Sequence, residues 1–260
     1  MLYELLTAEI RAERPVALAT VIEGPPDRVG AKMLVRPGAE TVGSLGHADL
    51  DRVVGRDVLG ELAAGQTLVR QYGAEGQARD DTLSVFIESF APSPQLLIFG
   101  AVDFTAALAR VGKVLGYRVT VCDARPVFAT QTRFPAADEV VVDWPHRLLE
   151  RVGSTLGPRD AICVLTHDPK FDVPAVIEAL RTGAGYIGAM GSRRTHEDRT
   201  RRLRDEGVTD EELDRVMSPI GLDIGARTPE ETAVSICAEI IALRTGRRAP
   251  NLRDATGPIH

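Results

Sequence analysis

The chain has little with which to ligate metal or form a disulfide. Its 260 residues include three cysteines, Cys122, Cys163 and Cys237, with no C-x-x-C pair, so neither a structural zinc site nor a redox dithiol is expected. Each lies inside an apolar segment and reads as a small buried hydrophobe. Five histidines are scattered singly, without H-E-x-x-H spacing, so no metal held directly by side chains is expected. No apolar run approaches the roughly 20 residues that span a bilayer. Met1-Leu2-Tyr3-Glu4 lacks the basic start of a secretory signal, and the chain is read as cytoplasmic. An excess of positive charge is also missing: 31 Lys and Arg stand against 37 Asp and Glu, a net −6. That balance argues against a sequence-independent grip on nucleic acid. It leaves room for a small anionic ligand in a locally positive pocket.

What is present is an ordinary globular composition, 44% apolar and 26% charged, with enough length for one large domain or two modest ones. The first 90 residues show a helical start, Leu2 to Glu13. Brief strand-like runs follow at Val16 to Ile22, Ala31 to Val35, Glu40 to Leu45, Thr67 to Tyr72 and Thr82 to Ser89. Gly24-Pro25-Pro26 and Pro37-Gly38 supply turns. Ala91-Pro92-Ser93-Pro94 cannot continue a central strand and reads as a linker. The expected division is a small β-rich α+β domain over 1–91 and a second domain over 95–260.

Beyond Gln95 the pattern alternates. Apolar runs at Leu96 to Phe99, Val119 to Cys122, Glu139 to Val142, Ala161 to Leu165 and Tyr186 to Ala189 are each followed by helical periodicity. The helices are expected at Asp103 to Leu115, Pro145 to Val152, Val173 to Arg181 and Arg193 to Glu206. That is the signature of an α/β parallel sheet covered by helices on both faces. Thr228-Pro229-Glu230-Glu231 is a capping box that starts the last helix. The opening strand, turn and helix resemble a dinucleotide-binding unit, with Asp123 about twenty residues past the turn, where a ribose hydroxyl would be held. The glycine fingerprint is incomplete, because Val102 and Thr105 stand where the second and third glycines belong.

In such a sheet, ligands bind beyond the carboxyl ends of the strands. Those positions carry Gly100, then Asp123 and Arg125, then Thr166-His167-Asp168, then Gly191-Ser192-Arg193-Arg194. Ser192 would cap the next helix while backbone N–H groups and two guanidiniums face the rim, a cradle suited to phosphate. The alternative is a capping serine on a solvated helix, since Arg199, Arg201, Arg202 and Arg204 follow among acids. Thr166-His167-Asp168 offers a proton shuttle or pocket donors; alternatively it is a strand-end turn with Asp168 capping the helix at Pro169. Ser218 to Ala226, with Gly221 and Asp223, is an apolar loop built to lie against a ligand, the other domain or a second copy of the chain.

Three stretches make the chain recognisable: Tyr186-Ile187-Gly188-Ala189-Met190-Gly191-Ser192-Arg193-Arg194, Pro219 to Gly225, and Thr228 to Ile236. Together they resemble the XdhC/CoxI family, the accessory factors of molybdenum hydroxylases. Ala31-Lys32-Met33 with Thr41 to Gly46 resembles that family's amino-terminal domain, and Thr166-His167-Asp168 and Cys122-Asp123-Ala124-Arg125 fit it as well. The resemblance implies a Rossmann-like domain behind a small β-rich one. It further implies a chaperone that holds molybdenum cofactor, as molybdopterin or its cytosine dinucleotide. On this reading the cargo-binding residues are Gly100, Asp123, Arg125, Thr166, His167, Asp168, Gly188, Gly191, Ser192, Arg193, Arg194, Gly221 and Asp223.

The partners it implies are an apo molybdenum hydroxylase of the xanthine dehydrogenase or carbon monoxide dehydrogenase type, a cysteine desulfurase, and a second copy of the chain. Three positions depart from the family pattern: His47-Ala48-Asp49 follows Gly46 without a cysteine, Arg79-Asp80-Asp81 stands where Cys-Gly-Gly is usual, and Gly100-Ala101-Val102-Asp103 stands where G-A-G-H is usual. Two other readings stay open. One is a degenerate paralogue that acts by protein contact; the other is an NAD(P)-dependent oxidoreductase, suggested by fold alone.

Overall fold

The computed structural model describes residues 2–73 and 82–254; Arg79-Asp80-Asp81 lies outside them. The chain divides into two compact units, Met1–Pro92 and Ser93–His260.

In the first unit, helix α1 (Leu2–Arg11) precedes strands β1 (Val16–Glu23), β2 (Lys32–Val35), β3 (Val42–Ser44), β4 (Leu68–Tyr72) and β5 (Leu83–Phe90). They form an antiparallel sheet in the order β3-β2-β1-β5-β4. The five expected strands are present with small shifts at their ends. Helix α2 (Ala48–Ala64) is not foreseen in the sequence reading. Its two glycines, Gly55 and Gly60, and its four acids dilute the apolar signal, yet Leu50, Val54, Val58 and Leu62 recur every four residues. That narrow stripe is buried against Met33, Val85 and Ile87. At about 1.5–3 kcal/mol per fully buried aliphatic side chain, it outweighs the poor helix propensity of the two glycines.

The second unit is built on six parallel strands: β6 (Gln95–Phe99), β7 (Arg118–Cys122), β8 (Glu139–Val141), β9 (Ala161–Val164), β10 (Tyr186–Ala189) and β11 (Val216–Met217). Their order is β11-β10-β9-β6-β7-β8. This is the doubly wound arrangement of the Rossmann fold, with the order reversing between β6 and β9. Alternate residues serve opposite faces. Leu96 and Ile98 pack with helices α3 (Asp103–Val114) and α8 (Pro229–Arg244), through Leu108, Ile236 and Ile240. Leu97 and Phe99 pack with α4 (Pro145–Val152), α5 (Pro169–Leu180) and α6 (Arg193–Asp205), through Leu149, Val176 and Leu203. A short helix, α7 (Asp210–Leu213), leads into β11.

Beyond one-residue shifts at element ends, the second unit differs from the sequence reading at the start of α5 and in the added elements α7 and β11. Helix α5 begins four residues earlier, because Asp168 caps it and Pro169 suits its first position. The two-residue β11 is too short to leave a periodic signal. All three cysteines are buried and unpaired by disulfide. Burial pushes the thiols of Cys122 and Cys237 up to about 12 and that of Cys163 well above its ordinary value. No helix among the described residues is long and apolar enough to cross a membrane.

Candidate functional site at the switch point of the parallel sheet

The carboxyl ends of β6 and β9 meet where the strand order reverses. Gly100, just past β6, has φ +111°, a conformation that L side chains rarely adopt, and a Cβ there would stand 2.7 Å from Thr166 Cγ2. The glycine is thus required twice, by backbone conformation and by the approach of the next strand end. Thr105, wholly buried at the third glycine's place, donates its hydroxyl to the Gly100 carbonyl and so tightens the turn.

Asp123 directly follows β7 and is 3% exposed. It does not wait for a ligand. Its Oδ2 accepts from the Ala101 N–H at 2.7 Å and from Arg125 Nη2 at 2.8 Å, and its Oδ1 accepts from the N–H and Nε of Arg125, both at 2.9 Å. Burial alone would raise this carboxyl. The hydrogen bonds from the guanidinium and the two backbone amides outweigh it and hold the pKa below the ordinary value. The Arg125 guanidinium also lies 4.7 Å from the centroid of the Phe128 ring, in cation–π contact. The expectation that Asp123 holds a ribose hydroxyl therefore meets a carboxylate already engaged by the protein itself.

On the other side of the switch point, Thr166 is buried and donates its hydroxyl to Asp172, while Asp168 caps α5, accepting from Lys170 N–H at 3.1 Å. Asp172 receives Arg199 Nη2 at 3.1 Å. The same guanidinium donates to the Met190 carbonyl at 2.6 Å and to Ser218 Oγ at 3.0 Å. Arg199 thereby ties the first turn of α5 to the residues that follow β10 and β11. Among the α6 arginines considered for a solvated face, this one is 4% exposed. Burial pushes Asp172 up to about 6, against the opposing pull of Arg199. A cleft of about 190 Å³ opens beside the pair, bordered by His167, Pro169, Thr195 and Arg202. His167 is exposed there.

The β10–α6 turn presents Gly191 and Ser192. Ser192 Oγ accepts from Thr195 N–H at 3.2 Å, the expected cap. Arg193 and Arg194 are exposed and make no hydrogen bond or ion pair with a described residue. The first turn of α6 holds no acid.

Gly188, Gly221 and Asp223 sit differently from the rest. A Cβ on Gly188 would lie 2.5 Å from Ile220 Cδ1, so this glycine lets the apolar loop close on the sheet face. Gly221, at φ +94°, has no room for a Cβ beside Ser235 Oγ, which would be 2.5 Å away, and its N–H donates to Glu239 at 2.8 Å. Ser235 Oγ donates to the Leu222 carbonyl at 2.6 Å. The loop expected to lie against something lies against α8 of its own domain. Asp223 is exposed and has no hydrogen bond with a described residue. Gly100, Asp123, Arg125 and Thr166 are thus gathered at the crevice. The 191–194 turn follows on the neighbouring strand, and Gly188 and Gly221 belong to packing.

Comparison with known proteins assigns the family. A profile described as the XdhC Rossmann domain matches residues 96–240, and one described as the XdhC and CoxI family matches residues 9–73. The chain belongs to the XdhC and CoxI family. Among its relatives is a Bacillus subtilis protein described as a probable xanthine dehydrogenase component, 36% identical over 165 residues, or 64% of this chain and 47% of that protein. The molybdenum cofactor insertion chaperone PaoD of Escherichia coli is 27% identical over 62% of this chain and 44% of its own length. This XdhC-family chain therefore spans a little under half the length of these curated relatives. A solved structure described as a xanthine dehydrogenase from Bacillus halodurans shares the fold, with TM-score 0.53, 24% identity, and coverage of 95% of this chain and 97% of that one.

Proposed function

We propose that this chain is an accessory factor that holds molybdenum cofactor and helps insert it into a molybdenum hydroxylase of the xanthine dehydrogenase type. The relatives support a maturation role, one of them being a molybdenum cofactor insertion chaperone by name. The observation that carries the reading is the start of α6. Arg193 and Arg194 place two cations, unpaired among the described residues, in the first helical turn, where the helix dipole is positive and acids are favoured. A phosphate seated there would accept the free N–H groups of the first turn and neutralise both guanidiniums. Molybdopterin brings such a phosphate together with a polar ring.

All three thiols are buried and held protonated, so the cargo is held through hydrogen bonds and charge, a mode that allows release. The nicotinamide alternative is disfavoured at the β6–α3 turn. There Val102 crowds the pyrophosphate position, Asp103 opposes its charge, and the Ala101 N–H is already given to Asp123.

The test is anaerobic binding of freshly released molybdenum cofactor to the purified protein, followed by ultrafiltration and pterin fluorescence. Stoichiometric retention is expected. Ser192→Ala with Arg193→Ala and Arg194→Ala should weaken it by about 1.5–3 kcal/mol for each charge-assisted hydrogen bond lost. No retention beyond a control protein would sink the cargo reading and favour action by protein contact alone.

A further inference from the structure

The acid that stands where a doubly wound domain holds a ribose is already engaged by a side chain of this protein. A carboxylate offers about four lone-pair sites. At Asp123 four donors reach the two oxygens, two on each: Ala101 N–H, Arg125 N–H, Arg125 Nε and Arg125 Nη2. A ribose hydroxyl seeking this acid finds no acceptor site open.

We infer that Arg125 is a specificity-determining residue of this domain, whose guanidinium takes the acceptor sites of Asp123 that a ribose diol would need and so refuses nucleotides at that seat.

The two backbone donors are fixed by the β6–α3 turn and by the chain leaving β7, so the guanidinium is the removable pair. It is strongly held. Its two-point contact with the carboxylate is charge-assisted, its plane rests on Phe128, and Arg133 lies over the same ring at 5.6 Å. Asp168, the cap of α5, attracts the same group across the switch point. The side chain of Arg125 remains 46% exposed, so the mouth of the crevice presents a cation where a nucleotide-binding relative would present an acid. The seat thus offers exposed guanidinium donors and no free carboxylate acceptor for a diol. Joined to the cargo reading above, on which only this step rests, the lock admits molybdopterin and refuses a form that would need this seat for its ribose.

The experiment uses nucleotides, so its outcome is independent of whether the protein retains pterin. Cytidine monophosphate and its 2′,3′-dideoxy analogue are titrated calorimetrically into the full chain, Arg125→Ala and Arg125→Met, with folding checked by circular dichroism. The wild type should take the two nucleotides equally, or take neither. Both variants should prefer the diol form by about tenfold, the equivalent of one restored hydrogen bond. A diol preference in the wild type that disappears in Asp123→Asn overturns the inference, as does a folded variant without preference. If neither variant folds, the wild-type comparison decides alone: equal uptake sustains the lock and a diol preference breaks it.

Discussion

Arg199 donates to Asp172 across 3.1 Å with both side chains 4% exposed, a buried ion pair that joins α5 to α6 beside the candidate site. Removing one partner leaves the other charged in a dry setting, which costs about 3–5 kcal/mol. Asp172→Ala should lose that much in a urea titration, and Asp172→Ala with Arg199→Ala less than the sum of the two single changes. Additivity of the two losses would show that the residues act separately.

Gly100 carries two separable constraints. Gly100→Ala is expected to cost about 1–3 kcal/mol, because it meets both an unfavourable φ and the Thr166 methyl group. Thr166→Ser removes that methyl while keeping the hydroxyl that serves Asp172. The double variant should therefore regain the steric part of the loss and retain the backbone part, and thermal melts of the three proteins separate the two.

Two carboxylates of the domain titrate in opposite senses. Asp123 lies below its ordinary value when folded, so its stabilisation is complete at neutral pH and is lost as the pH falls through its folded pKa. Asp172 rises from 3.8 to about 6 on folding, so the folded state binds this proton more tightly and stability falls as the pH rises between those values. Asp172→Asn should remove the slope in that window, and Asp123→Asn should flatten the acid limb. Denaturant midpoints across the pH range check both.

The division at Pro92 makes a further expectation. Residues 93–260 contain two buried clusters, one on each face of the parallel sheet. Expressed alone, this stretch should unfold in one cooperative transition with native helix content. A fragment without a melting transition would show that the two units depend on each other for folding.

The parallel sheet was legible in the sequence because its strands are buried on both faces and therefore read as short unbroken apolar runs. The start of α8 was legible because Thr228 and Glu231 form a capping box whose partners are local. The cap at Ser192 and the one at Asp168 were legible for the same reason. Helix α2 was not, since its stripe is one residue wide and its glycines mimic turns. Arg199 was missed because charge suggests solvent when residues are read singly. Leu203, four residues on, is the large apolar residue of α6, and the residue one turn before it shares its inward face. The saturation of Asp123 was beyond reach, because Ala101 lies on a different segment and meets the acid only when β6 and β7 pair.

Both outer strands of the six-stranded sheet are its shortest, β8 with three residues and β11 with two. Unpaired backbone groups at a sheet margin are what another polypeptide uses to extend the sheet by strand addition. Margins this brief offer a visiting chain almost no ladder to climb. On the accessory-factor reading proposed above, this sheet would meet a client through helix surfaces and loop side chains, with little risk of the two fusing into a common sheet.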